Sequence, residues 1–207
     1  MSEETPVLQV EGLVFGYAGR PVFANWSAGM GPGATLLQGD ESSGKTTLLR
    51  LLAGVLPAQA GRLVLRGASL ADTPQAYRRQ VFWEDPRSDA IDPLTVRDWL
   101  QARPAEHADW DAQALAAHVQ GFGLQEHLDK NFYMLSTGSR RKVLMAAGLA
   151  SGAPLTLIDE PVAGLDNASL RYLGQAIAAA AAQPGRAIVV AHYEPLRGVP
   201  WRAVLAL

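Results

Sequence analysis

Gly39-Asp40-Glu41-Ser42-Ser43-Gly44-Lys45-Thr46-Thr47 constrains this chain more than any other stretch. It lies between two apolar runs of different period. Ala34-Thr35-Leu36-Leu37-Gln38 reads as a short buried strand. Leu48, Leu51, Leu52, Val55 and Leu56 recur at helical spacing, so a helix is expected to start near Lys45. A strand, a loop of the form G-x-x-x-x-G-K-[ST], then a helix is the context that a phosphate-binding loop requires. Such a loop turns its amides inward on the phosphates, and the helix N-terminus adds partial positive charge. Lys45 would neutralise the β- and γ-phosphates, and the Thr46 hydroxyl would ligate magnesium. A polar turn that fits the pattern by chance is the competing explanation, and the flanking strand and helix make it the weaker one.

With 207 residues the chain has enough length for one substantial core, and one α/β domain carrying an inserted or appended lobe fits best. Apolar residues make up 48% and charged residues 18%, which describes a globular rather than a disordered chain. The formal net charge of −2 supplies no basic field, so nucleic acid is not expected as a main partner. Without cysteine there is neither a disulfide framework nor a thiolate metal site. The acidic opening Met1-Ser2-Glu3-Glu4-Thr5-Pro6 does not read as a secretory signal. No apolar run approaches the roughly 18 residues that would cross a bilayer. Any membrane part is therefore expected from another chain.

Along the chain, Val7 to Val14 reads as a strand and Phe15 to Pro21 as a turn. Val22-Phe23 and Trp26 resume an extended pattern, so the opening is expected to form an antiparallel β layer. Arg62 to Leu65 is a further short strand, and Val81-Phe82-Trp83 the only strand-like piece between 72 and 135. Helical stretches near 96–101, 112–119 and 125–130 suggest a mainly helical lobe over about 93–135, inserted between about 1–92 and 136–207. The remainder alternates: helix from Arg140, strand Leu155 to Ile158, helix from Ala168, strand Ala187 to Val190, and a final edge strand from Trp201. Short, almost wholly apolar strands between helices indicate a parallel sheet covered on both faces.

Asp159 and Glu160 close the apolar strand Leu155 to Ile158. In an open parallel sheet, ligands bind beyond the carboxyl ends of the strands, so this pair and the phosphate loop can share one site. Magnesium would compensate Asp159, through water, and Glu160 could polarise an attacking water as general base. His192 also ends a strand at its carboxyl end, where an imidazole could hold the γ-phosphate or the water. Tyr17 is a turn aromatic that could stack on a base, although such a tyrosine is more often half-buried packing. Leu135-Ser136-Thr137-Gly138-Ser139 precedes a helix rich in Arg140, Arg141 and Lys142, and presents amides and a hydroxyl to an anion. Alone it is an ordinary serine cap.

In order and spacing these pieces resemble the nucleotide-binding subunit of the ATP-binding-cassette (ABC) transporter family, across nearly the whole chain. Gly39 to Thr46 matches the Walker A loop, and Leu155 to Glu160 matches Walker B with its catalytic glutamate. Ala163-Gly164-Leu165-Asp166 resembles the D-loop, His192 the switch histidine and Tyr17 the aromatic that stacks on adenine. Leu135 to Ser139 resembles the LSGGQ signature. The resemblance implies an α/β fold: a P-loop NTPase core with a mostly parallel sheet, an N-terminal antiparallel β layer and an inserted helical lobe. It also implies an ATPase that uses ATP and Mg2+ in a head-to-tail dimer. Ser136, Thr137 and Gly138 would act in trans on the partner's γ-phosphate. The helical lobe would transmit the cycle to an integral membrane permease docked near Trp83 and Glu84, with the protein peripheral at the cytoplasmic face. Trp83 and Trp99 are candidates for an apolar lining there, with plain core the alternative for either.

This chain departs from the family pattern at several positions. Ser42 stands where the family usually has glycine, and Thr137 and Ser139 replace a signature glycine and glutamine. Glu84 and Asp85 occupy the place of a glutamine that reaches magnesium, and Ala147 that of an arginine. A carboxylate there can still coordinate the metal but adds negative charge near the γ-phosphate. These changes motivate an alternative reading, a nucleotide-gated regulatory module that hydrolyses slowly or not at all. Retention of Lys45, Asp159, Glu160 and His192 speaks against it. A small P-loop kinase would leave Ser136 to Gly138 and the Asp166 loop without a role.

Overall fold

In the computed structural model, which describes residues 5–207, the chain opens with a long hairpin; Met1 to Glu4 of the acidic opening lie outside the described residues. β1 (Leu8–Tyr17) pairs antiparallel with β2 (Arg20–Met30). The turn is tighter than the expected span of Phe15 to Pro21. Gly16 pairs with Pro21 and Tyr17 with Arg20, which leaves Ala18 and Gly19 at the tip. Pro21 is tolerated because β2 is an edge strand.

β3 (Gly33–Gln38) leads through the phosphate loop into helix α1 (Lys45–Leu52). β4 (Ala60–Leu65) and β5 (Ala68–Ser69) return to the first layer, completing an antiparallel sheet of order β2-β1-β4-β5. A short helix, α2 (Pro74–Arg78), follows that was not expected from the sequence. Thr73 precedes it and Pro74 occupies its first turn, the position where a helix accepts proline. After β6 (Val81–Phe82) come α3 (Val96–Ala102), α4 (Ala112–Gly121) and 3-10 turns at Gln125–His127 and Phe132–Met134. Then α5 (Thr137–Ala150), β7 (Leu155–Asp159), α6 (Asn167–Ala181), β8 (Ala187–His192) and β9 (Trp201–Ala206) alternate.

The second sheet has the order β6-β7-β8-β3-β9, parallel throughout. Its strands are apolar on both faces because both faces are covered. Along β8, Ala187, Val189 and Ala191 face one core, together with Leu48 and Leu52 of α1 and the antiparallel layer. Ile188 and Val190 face the other, with Leu144 of α5 and Ile177 of α6. That second core runs on through Trp99, Phe122 and Phe132, so the helices between 96 and 134 share it with the sheet. β3, β7 and β8 are adjacent, which brings their carboxyl ends together.

Candidate functional site

The loop after β3 follows from its backbone angles. Ser42 sits at φ 65° and Gly44 at φ 100°, both left-handed, and Gly44 is the N-cap of α1. A side chain at Gly44 would press on Val22 and Phe23 of β2. Lys45 is folded back into the loop, donating from Nζ to the carbonyls of Gly39 at 2.7 Å and Asp40 at 2.8 Å. Its ammonium also lies 3.3 Å from Glu160 Oε1. These acceptors occupy the cation that would otherwise meet a phosphate.

The Thr46 hydroxyl donates to Asp159 Oδ2 at 2.7 Å, joining the start of α1 to the end of β7. The other oxygen, Oδ1, is buried and has no hydrogen-bond partner among the described residues. Burial pushes the Asp159 carboxyl above its ordinary range, opposed by the Thr46 hydrogen bond and the nearby Arg87 charge. A hydroxyl beside a carboxylate with a spare buried oxygen fits a hard divalent cation. His192 Nδ1 lies 2.9 Å from Glu160 Oε2. An ionised carboxylate only accepts, so Nδ1 is the donor. The histidine thus holds the Glu160 carboxylate through Nδ1, and it is almost wholly buried. Glu160 has φ 44°, an unusual angle for a non-glycine residue. Two hydrogen bonds fix its backbone: its amide donates to Ala191 O at 3.0 Å, and its carbonyl accepts from Arg141 Nε at 3.0 Å.

Lys45, Thr46 and Glu160 border a cleft of about 550 Å³ whose opposite wall carries Tyr17, Arg20 and Pro21. Glu41, Ser42, Ser43, Gly44 and Thr47 line its floor. Tyr17 is half exposed, sets its hydroxyl 3.3 Å from Thr47 Oγ1 and stands edge-on to Phe15. Its ring is therefore available to a base. Arg87 also lines the cleft.

Ser136 is the N-cap of α5, accepting from the Ser139 amide at 3.1 Å and donating to Ser139 Oγ at 3.0 Å. Ser139 Oγ in turn lies 3.3 Å from His127 Nε2. Gly138 and Gly164 touch backbone to backbone, and a methyl at Gly138 would overlap the Gly164 carbonyl. Asp166 caps α6 through the Ser169 amide and hydroxyl and also receives Lys142 at 3.0 Å. The Ser169 amide, Lys142 and the Ser169 hydroxyl hold its carboxyl well below the usual range. Ser136, Thr137, Gly164 and Asp166 are thus exposed side by side over the buried Gly138, and none of them lines the cleft that holds Lys45.

Two expectations need correction. Glu84 and Asp85 do not line the cleft, because arginines engage both. Asp85 receives Arg50 of α1 at 2.6 Å, and Glu84 lies 3.3 Å from Arg103. Burial raises Glu84 against the pull of Arg103; at Asp85 burial acts the same way but is outweighed by Arg50 and the Arg87 amide. Trp99 is no docking surface. It is fully buried, edge-on to Phe132 and capped by the Arg103 guanidinium. Trp83 does border an open groove of about 680 Å³ with Arg78, Arg79, Glu84, Glu106 and His107.

Sequence reasoning missed Arg141 and Arg87. Arg141 had a visible signal, since it falls on the apolar, buried face of α5 beside Leu144 and Met145. Arg87 had none, for it sits in a loop between a proline and a serine.

The sequence model of the ABC transporter family matches residues 25–163, more than half of the chain. A cytochrome c biogenesis ATP-binding export protein CcmA of Paramagnetospirillum magneticum is 34% identical over 180 residues, covering 84% of this chain and 82% of that protein. Among solved structures, the ATP-binding subunit of an ABC transporter superposes with a TM-score of 0.79 at 24% identity, covering 90% of this chain and 79% of that one. An ATP-binding cassette solved as a dimer in a post-hydrolysis state with ADP and Pi gives a TM-score of 0.74 at 15% identity, covering 90% and 88%. The chain belongs to the ABC transporter family, as an ATP-binding, ATP-hydrolysing subunit.

Proposed function

We propose that this chain is the motor subunit of a membrane export system and works as a head-to-tail pair that encloses ATP. This reading is carried by one connected set of residues: Lys45, Thr46 and Glu160 line the cleft, with Asp159 bonded to Thr46 and His192 bonded to Glu160 behind them. ATP would enter with its base on Tyr17 and its phosphates along Ser42 to Thr47, drawing Lys45 off Glu160. Thr46 and Asp159 would hold Mg2+, which when bound neutralises charge on the phosphates. Glu160, freed on one oxygen and held on the other by His192, then accepts the proton of a water attacking the γ-phosphate.

The trans role of Ser136, Thr137 and Gly138 is supported by the exposure of Ser136 and Thr137, with Gly138 buried beneath them, and by the absence of all three from the lining of the chain's own Lys45 cleft. No helix of the described residues is long and apolar enough to cross a membrane, so a permease subunit would supply that part. The groove beside Trp83, between the core and the proposed lobe over 93–135, is the docking place this reading assigns to it. The export direction follows the name of the CcmA relative. Sedimentation of Glu160→Gln at saturating ATP tests the pairing. A dimer is expected, and a monomer would contradict it.

A further inference from the structure

Arg87 is the unassigned cation of the cleft. It is exposed, and its guanidinium makes no hydrogen bond or ion pair with a described residue, although it lines the same cleft as Lys45, Thr46 and Glu160. Its position is set from behind. The Arg87 amide donates to Asp85 Oδ1 at 2.9 Å, and Asp85 is clamped by Arg50 at 2.6 Å. Further along the same loop, Arg140 of α5 binds Asp92 at 2.5 Å and the Ser88 carbonyl. The backbone of 85–92 is thus pinned to α1 on one side and to the start of α5 on the other. Arg87 shares the cleft lining with Glu160 and lies near enough to Asp159, Arg141 and Asp85 for its charge to act on all three, which sets it toward the Glu160 end.

A free guanidinium next to a phosphate loop is unlike the other polar groups there. Lys45 is engaged by two carbonyls and Glu160, and Thr46 by Asp159. Arginine has a planar fork of donors that matches a phosphate's oxygens in pairs. A nucleotide lying from Tyr17 toward Glu160 would bring its last phosphate to this end.

We propose that Arg87 contacts the terminal phosphate of the bound nucleotide and makes the cleft discriminate nucleoside triphosphate from diphosphate. The inference rests on the reading of the cleft as an ATP site. It also gives the loop a physical role: a phosphate that holds Arg87 holds residues 85–92, and through Arg140 the first turns of α5 beside Ser136. The departure from the family pattern at Glu84 and Asp85 then has a consequence, since those carboxylates serve to anchor the loop and Arg87 meets the anion.

The test is equilibrium binding of Mg-ADP and of a slowly hydrolysed Mg-ATP analogue to the full chain, Arg87→Ala and Arg87→Lys. Losing a charge-assisted contact should cut the preference for triphosphate in Arg87→Ala by about tenfold or more. That loss should fall on the analogue, with Mg-ADP affinity within twofold, and Arg87→Lys should lie between. Thermal melts of both variants should stay close to the parent, because the exposed side chain makes no hydrogen bond or ion pair with a described residue and acts on Asp159 and Asp85 only through its charge. An unchanged triphosphate-to-diphosphate ratio in Arg87→Ala, or an equal loss for both nucleotides, would overturn the role of Arg87 while leaving the ATP site standing. Failure of the unsubstituted chain to bind either nucleotide would overturn both.

Discussion

Lys45 Nζ lies 3.3 Å from Glu160 Oε1, so the phosphate-binding cation and the proposed base neutralise one another in the nucleotide-free chain. Nucleotide must break that pair. Glu160→Gln removes the competing charge and should therefore bind ATP more tightly than the parent. The gain expected for a partly exposed pair is about 2- to 5-fold in Kd. Weaker binding, measured by titration under conditions where neither form turns over, would show that Glu160 helps shape the phosphate site.

Ser42 adopts φ 65°, an angle at which a side chain costs about 1–2 kcal/mol relative to glycine. Ser42→Gly should raise stability by that order, seen as a melting temperature higher by roughly 2–4 °C per kcal/mol. An unchanged or lower melting temperature would mean that the loop accommodates serine without strain. Glu160 bears the same kind of strain at φ 44°, but there the side chain is the proposed base. Glu160→Gly should be inactive whatever its stability.

Burial raises the Asp159 carboxyl above its ordinary range, against the Thr46 hydrogen bond. Its ionised form is therefore disfavoured by folding. The associated stability is present below the unfolded carboxylate pKa of about 3.9 and is lost as pH rises through the raised folded value. Without nucleotide, Asp159→Asn should melt higher than the parent at pH 8, and the gap should close toward pH 4. The same variant should lose magnesium-dependent nucleotide affinity by on the order of tenfold or more, since a metal ligand is gone. A lower melting temperature at pH 8 would place the carboxylate among the stabilising groups.

Gly138 and Gly164 meet backbone to backbone, which ties the start of α5 to the loop before α6. Gly138→Ala should force the two apart and cost about 1–3 kcal/mol, measured by denaturant melts. A neutral result would mean that the two loops move independently.

Much of this arrangement could be read from residue patterns with short-range causes. The strands over Ala34–Gln38, Leu155–Ile158 and Ala187–Val190 announce themselves as apolar runs, and the loop at Gly39 to Thr47 by its glycines and lysine. The hairpin was less legible. Gly16, Gly19 and Pro21 look like turn residues, yet Gly16 of β1 and Pro21 of β2 are paired, the proline being tolerated because β2 is an edge strand. Helix α2 was hidden for a related reason, since Pro74 reads as a breaker although it begins the helix.

At the site, residues whose roles depend on contacts far along the chain were the hardest to assign. Glu84 and Asp85 were expected near magnesium, but Arg103 and Arg50 claim them, and neither pairing has a local signature. His192 was placed at the right end of its strand. Its bond to Glu160 required the three-dimensional order β7-β8-β3 to be known.

The central claim is that the Glu160 carboxylate, held by His192, drives hydrolysis in the Lys45 cleft. Steady-state phosphate release from Mg-ATP by the unsubstituted chain and by Glu160→Gln tests it most directly. The account predicts turnover in the former and a loss of about 100-fold or more in the latter, as for removal of a general base. Equal phosphate release by the two proteins would contradict it.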